Sequence, residues 1–171
     1  MWPNNLALAS MIICRLRSSL SSGDLIPYNY KANMEKPDSS GFSEVAHTAD
    51  CALQVWAPSL DELFIQAAAG LYHLLGVRFQ DAPMVTQQIS FSAGDDESLL
   101  VFFLSELLYI GESQGVAFDR VQVHCDQHTL QAQLSGSPIA SQERMIKAVT
   151  YHNLSIQRER DSLVATIVFD A

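Results

Sequence analysis

A chain of 171 residues with 48% hydrophobic side chains is long enough for one domain with a sizeable core, and that composition excludes a wholly disordered chain. No apolar run approaches the roughly 18 residues needed to cross a bilayer as a helix, so no membrane partner is expected. A formal net charge of −9, from 19 acidic and 10 basic residues with no Lys/Arg cluster, argues against direct nucleic-acid binding and suits a basic protein partner or a bound cation.

Residues 1–38 read as an N-terminal extension, either mobile or a mis-assigned start upstream of Met34. Leu6 to Cys14 is an apolar stretch broken by Ser10, and Arg15 and Arg17 follow it instead of preceding it, the wrong order for a secretory signal. The three cysteines Cys14, Cys51 and Cys125 are odd in number and lack CxxC spacing, so they form no disulfide framework; a reducing, cytoplasmic setting is expected. Cys51 and Cys125 fall in predicted strands, where they are expected as small buried hydrophobes.

The domain proper is read over residues 39–171. Asp50 to Ala57 alternates, with Cys51, Leu53, Val55 and Ala57 on one side, and predicts a strand. Ser59, three residues before Glu62, predicts a capping box, and Leu60, Leu63, Phe64, Ala67, Leu71, Leu74 and Leu75 predict a helix that Gly76 stops. A second strand is predicted over Thr86–Ala93. Asp95, Asp96 and Glu97 then open a second helix to about Ser113, apolar around more than half its circumference and so packed on two sides, or on one side by a partner. Phe118–Cys125 and the strand marked by Leu130, Ala132 and Leu134 predict a hairpin around Asp126–His128. A polar loop is expected from Gly136 to Arg144, a long strand over Ala148–Gln157, a charged turn over Arg158–Ser162 and a last strand over Leu163–Phe169. The order β-α-β-α-β-β-β-β predicts a single α+β domain, a mostly antiparallel sheet with two helices on one face.

Two carboxylates bracket the core strands: Asp50 precedes the first and Asp170 follows the last. With the terminal oxygen of Ala171 they could form an oxygen-donor set for a hard cation such as Ca²⁺ or Mg²⁺; on the residues alone, each Asp is better read as a solvated strand-end or capping residue. His47, three residues before Asp50, reads as a ligand, a proton donor or a hydrogen-bonding prop for its loop. None of the histidines has HxH or HExxH spacing, so zinc is not expected. His152 reads as a hydrogen-bonded wall residue within a strand. Lys147, where a polar loop becomes a strand, reads as a partner or phosphate contact, an ion-pair partner of Asp50 or Asp170, or a plain surface charge. No GxSxG, Walker loop or GxGxxG is present.

Several separated motifs, in order, resemble the archease family over residues 41–171: His47-Thr-Ala-Asp50, Trp56-Ala-Pro-Ser-Leu-Asp-Glu-Leu-Phe64, Leu99-Leu100, Ile146-Lys-Ala-Val-Thr-Tyr-His152 and the late Asp170. The resemblance implies a compact α+β domain and no catalysis of its own. It implies an accessory protein of the RtcB-type RNA ligase of tRNA splicing and RNA repair, one that promotes ligase guanylylation and multiple turnover. It also implies a divalent cation, Ca²⁺ or alternatively Mg²⁺ or Mn²⁺, on Asp50, Asp170 and Ala171, with Lys147 and His47 as candidate contacts to the ligase. Two positions depart from the family pattern: Ala171 stands where a larger aliphatic residue is usual, and Ser137 where an acid is common. Two other readings differ in class. One is a metal-dependent hydrolase or phosphotransferase using Asp50 and Asp170, the other a chaperone-like or RNA-modification partner module.

Overall fold

The computed structural model describes residues 40–45 and 51–171. The expectations for residues 1–38, for His47 and for Asp50 lie outside the described residues.

The chain opens with a strand that periodicity does not predict, β1 (Gly41–Val45), which has only Phe42 and Val45 as large apolar residues. It runs antiparallel to β2 (Cys51–Ala57), Gly41 opposite Trp56 and Val45 opposite Ala52. Helix α1 (Leu60–Leu75) follows at once. Its N-cap Ser59 accepts the Glu62 N–H at 3.3 Å, but Glu62 does not close the expected capping box. Its carboxylate instead accepts from Gln66 at 2.8 Å and from Ser40 at 3.2 Å, tying the helix start to β1. Gly76 ends α1 with φ of 61°, the left-handed geometry that glycine adopts without a Cβ clash.

Beyond a short β3 (Arg78–Phe79) come β4 (Val85–Ser92) and α2 (Asp96–Gln114), capped by Asp95, whose carboxylate accepts the Ser98 N–H at 2.7 Å. The hairpin is β5 (Val116–Asp126) and β6 (Thr129–Ser141), with Gln127 and His128 both at positive φ in its turn. The polar loop expected from Gly136 is thus mostly strand. Pro138 sits opposite Val116, and its carbonyl accepts from the Gln80 N–H at 2.9 Å.

The long strand expected over Ala148–Gln157 is broken into β7 (Ala148–Thr150) and β8 (Gln157–Glu159). Asn153, at φ of 53°, makes the turn, and the Ile156 N–H leaves the sheet to bond the Glu97 carboxylate at 2.9 Å. His152 is accordingly an exposed turn residue and not a strand wall. The charged turn shrinks to Arg160 and Asp161, and β9 (Ser162–Asp170) closes the chain.

The strands divide into two antiparallel sheets instead of one. β1, β2, β9 and β7 form the first in that order, with β8 also on β9; β6 organises the second, pairing β3, β4 and β5. The hairpin-rich second half predicts antiparallel pairing but does not reveal this split. Helix α1 packs on β2 of the first sheet and on β5 of the second, and α2 touches β5 and β7, so both helices bridge the sheets over one continuous core. Gly70 permits the close approach of α1 to β2: a Cβ there would collide with the side chain of Leu53, which is fully buried. Cys51 and Cys125 are half-buried, not the buried residues expected. No helix among the described residues is long and apolar enough to cross a membrane.

Candidate functional site

Three of the predicted site residues, Lys147, Asp170 and Ala171, meet at the end of β9. β9 lies between β2 and β7, with Cys51 opposite Phe169 on one side and Ala148 opposite Asp170 on the other. The Lys147 N–H donates to the Asp170 carbonyl at 2.8 Å, and the Lys147 ammonium donates to the Ala171 main-chain oxygen at 3.0 Å. Lys147, Asp170 and Ala171 are all exposed. Among the described residues the Asp170 carboxylate takes part in no hydrogen bond or ion pair. Asp50 is bonded in sequence to Cys51, the partner of Phe169, but its own position and that of His47 lie outside the described residues. No three His, Cys, Asp or Glu side chains are arranged to hold a metal ion among the described residues. The expected donor set needs Asp50 and a main-chain oxygen, so that observation neither assembles the set nor excludes it.

The segment before Lys147 is fixed at both ends. The Glu143 and Arg144 N–H groups donate to the carbonyl of Leu75 at 2.9 and 3.1 Å, using an acceptor that the end of α1 leaves open. The Arg144 guanidinium meets the Glu44 carboxylate at 2.7 Å, which holds it all the more firmly in its charged form and ties the segment to β1. Arg78 pairs with Glu143 at 3.4 Å. Ile146 is buried beneath, while its neighbour Met145 is 70% exposed. Sequence reasoning missed Arg144 and Met145; the available signal was an apolar Met-Ile pair inside an otherwise polar stretch.

The opposite end of the molecule carries a second polar cluster. Asp61 at the start of α1 accepts the Cys125 N–H at 2.8 Å, with His124 3.5 Å away, and His128 meets Asp96 at 2.8 Å. These contacts pin the β5–β6 turn to the N-termini of both helices. Burial, reinforced by the negative charges of Asp61 and Asp96, pushes the Cys125 thiol up to about 12, so it remains protonated and unreactive at neutral pH.

The model of the "Archease protein family (MTH1598/TM1083)" matches residues 42–171. The chain belongs to the archease family. It is 30% identical over 137 residues to the archease of Methanopyrus kandleri, covering 75% of this chain and 98% of that one. The archease of Methanosarcina barkeri is 31% identical over 133 residues, covering 72% and 91%. The crystal structure of an archease from Thermotoga maritima, described as a possible chaperone, is similar with a TM-score of 0.57 at 25% identity, covering 82% of this chain and 99% of that one. The solution structure of Methanobacterium thermoautotrophicum protein 1598 has the same TM-score of 0.57 at 25% identity. The two-helix, antiparallel α+β architecture of the family is therefore the architecture found here.

Proposed function

We propose that this archease is a non-enzymatic activator of an RtcB-type RNA ligase of tRNA splicing and RNA repair, promoting ligase guanylylation and repeated turnover with the help of a divalent cation. The observation that carries the proposal is the meeting of Lys147 with Asp170 and Ala171 at one exposed end of the fold, two charged groups and a main-chain oxygen that the core does not need. Surface residues of this kind contribute little to stability, so their role is sought in a partner or a ligand.

The donor chemistry fits a hard cation in part. Asp170 offers a carboxylate without a protein partner among the described residues, and Ala171 a main-chain oxygen; Asp50 is the proposed third ligand. A bound Ca²⁺, Mg²⁺ or Mn²⁺ supplies concentrated positive charge at this end of an acidic chain. The Lys147 ammonium donates to the Ala171 oxygen, so it stands beside the groups that would hold a cation, where it could meet a partner's acidic or phosphate group. Promoting guanylylation requires only that the ligase's reactive geometry be better populated.

The test is GMP transfer to the purified ligase with and without this protein. Stimulation that falls severalfold or more in Asp50→Ala, Asp170→Ala and Lys147→Ala is expected. Turnover of phosphoesters by the isolated protein would instead establish the hydrolase reading. Protection of unrelated proteins from aggregation without ligase stimulation would favour the chaperone reading that the Thermotoga description suggests.

A further inference from the structure

Beside Lys147 the surface opens into a groove of about 420 Å³, between the C-terminal halves of both helices, the end of β6 and the segment 142–147. Its lining is mixed: Leu75, Leu107, Leu108, Ile139, Met145 and Ile146 supply the apolar part, and polar surface makes up nearly half. Glu112 and Lys147 stand among the polar residues of its lining. Met145 is 70% exposed, although the chain on both sides of it is held by hydrogen bonds, so an apolar, adaptable side chain is presented to solvent on a fixed support. Outside the groove, α2 exposes two further large apolar side chains. Tyr109, 60% exposed, lies one turn before Glu112, and Phe102, 44% exposed, lies two turns before Tyr109. This is the outward part of a helix that is apolar around more than half its circumference.

The charges nearby are informative. Arg78 and Arg144 are already paired with Glu143 and Glu44. That leaves Glu112 facing solvent without a cation among the described residues, on a chain of net charge −9. Lys147, which belongs to both the groove and the end of β9, makes the two surfaces continuous.

We propose that this groove is the docking surface for the ligase, accepting a protein segment that presents one bulky aliphatic or aromatic side chain flanked by Arg or Lys. The inference rests on the activator reading above and adds where the partner sits. A buried apolar anchor supplies the affinity, and the basic flank meets the acidic surface and speeds encounter. Docking here places the end of β9 against the partner.

Gly111 allows a clean test. It lines the groove from within α2, and a Cβ built on it would come no closer than 3.8 Å to its neighbours Ile139 and Val116. Gly111→Leu therefore places its Cβ without a clash, improves helix propensity and adds apolar bulk to the groove without changing charge. Binding of the parent and of Gly111→Leu to the purified ligase is measured by calorimetry at low and high salt, with melting temperatures recorded in parallel. A Kd at least tenfold weaker for Gly111→Leu at an unchanged or higher melting temperature is expected, and the parent's affinity should fall as salt rises. If Gly111→Leu melts lower, Met145→Asp at the exposed wall decides by the same tenfold criterion. Equal binding by the variant and the parent overturns the groove assignment and leaves the activator reading standing. No binding by the parent overturns both. Self-association of the parent that Gly111→Leu abolishes assigns the groove to a second copy of the chain and overturns the ligase assignment.

Discussion

Tyr72→Phe removes one oxygen from the interior, and the structure sets the size of the effect. Tyr72 projects from α1 with its hydroxyl buried and without a hydrogen-bond partner; the backbone of Phe118 approaches it but misses hydrogen-bond geometry. A buried polar group left unpaired costs about 1–3 kcal/mol, whereas the ring's own packing survives the substitution. The variant should therefore gain about 1 kcal/mol, which at this chain length raises the melting temperature by ~2–4 °C. A second readout comes from alkaline pH. Burial is the main reason the Tyr72 phenol titrates far above its ordinary value of about 10. Above that pH the unfolded chain releases the proton while the folded chain keeps it. The stabilising difference is thus fully present below pH ~10 and is lost beyond it by about 1.4 kcal/mol per pH unit. Tyr72→Phe lacks this loss, so its advantage over the parent should widen between pH ~9 and ~11, while the remaining tyrosines act alike in both proteins. Calorimetric melts across that range measure both effects. A fall in melting temperature at neutral pH, or an advantage that stays constant with rising pH, would show that the hydroxyl is paired or solvated in solution and would refute the reasoning.

Other expectations follow from particular contacts. Added Ca²⁺ should raise the melting temperature of the parent and of Lys147→Ala but not of Asp170→Ala or Asp50→Ala, as mass action requires of ligands; an equal rise in all four would remove these carboxylates from the cation site. The Asp95 carboxyl is held below the usual carboxylate range chiefly by hydrogen bonds from Ser98, so its contribution to stability is present above the unfolded value of about 4 and lost as pH falls through its lowered folded value. Asp95→Ala should therefore melt lower than the parent at pH 7, and the gap should close on acidification in a pH series of thermal melts; a gap independent of pH would sink the cap argument. Gly70→Ala drives a methyl group into fully buried Leu53 and should cost about 1–3 kcal/mol despite the better helix propensity of alanine, read as a loss of ~2–12 °C; a higher melting temperature would mean that Leu53 repacks freely.

Local features were legible in the chain because their causes are local. Ser59 and Gly76 mark α1, and Asp95 marks the start of α2, through the hydrogen-bonding and dihedral needs of helix ends. Leu53 and Val55, like Leu130, Ala132 and Leu134, alternate because one face of a strand must leave water. The motifs singled out Lys147 and Asp170 separately, as a candidate partner contact and a candidate cation ligand, and the β7–β9 pairing brings Lys147 against Asp170 and Ala171.

What pattern could not supply is partner choice. Periodicity reports which face of a strand is buried but not which strand lies beside it, so β6 could claim β3, β4 and β5 and split the sheet in two without any sign in its own alternation. The stretch from Ala148 to Gln157 alternates well enough for a strand, yet Ile156 finds Glu97 at the start of α2, and the turn at Asn153 breaks the ladder to let it. The polar run from Gly136 reads as a loop because its Ser and Pro residues disfavour strands, yet β5 and β3 supply hydrogen-bonding edges that hold it extended as far as Ser141. The groove beside Lys147 was equally invisible. It is the space left where two helix ends, one strand end and one pinned segment meet, and its volume depends on distances between residues far apart in the chain.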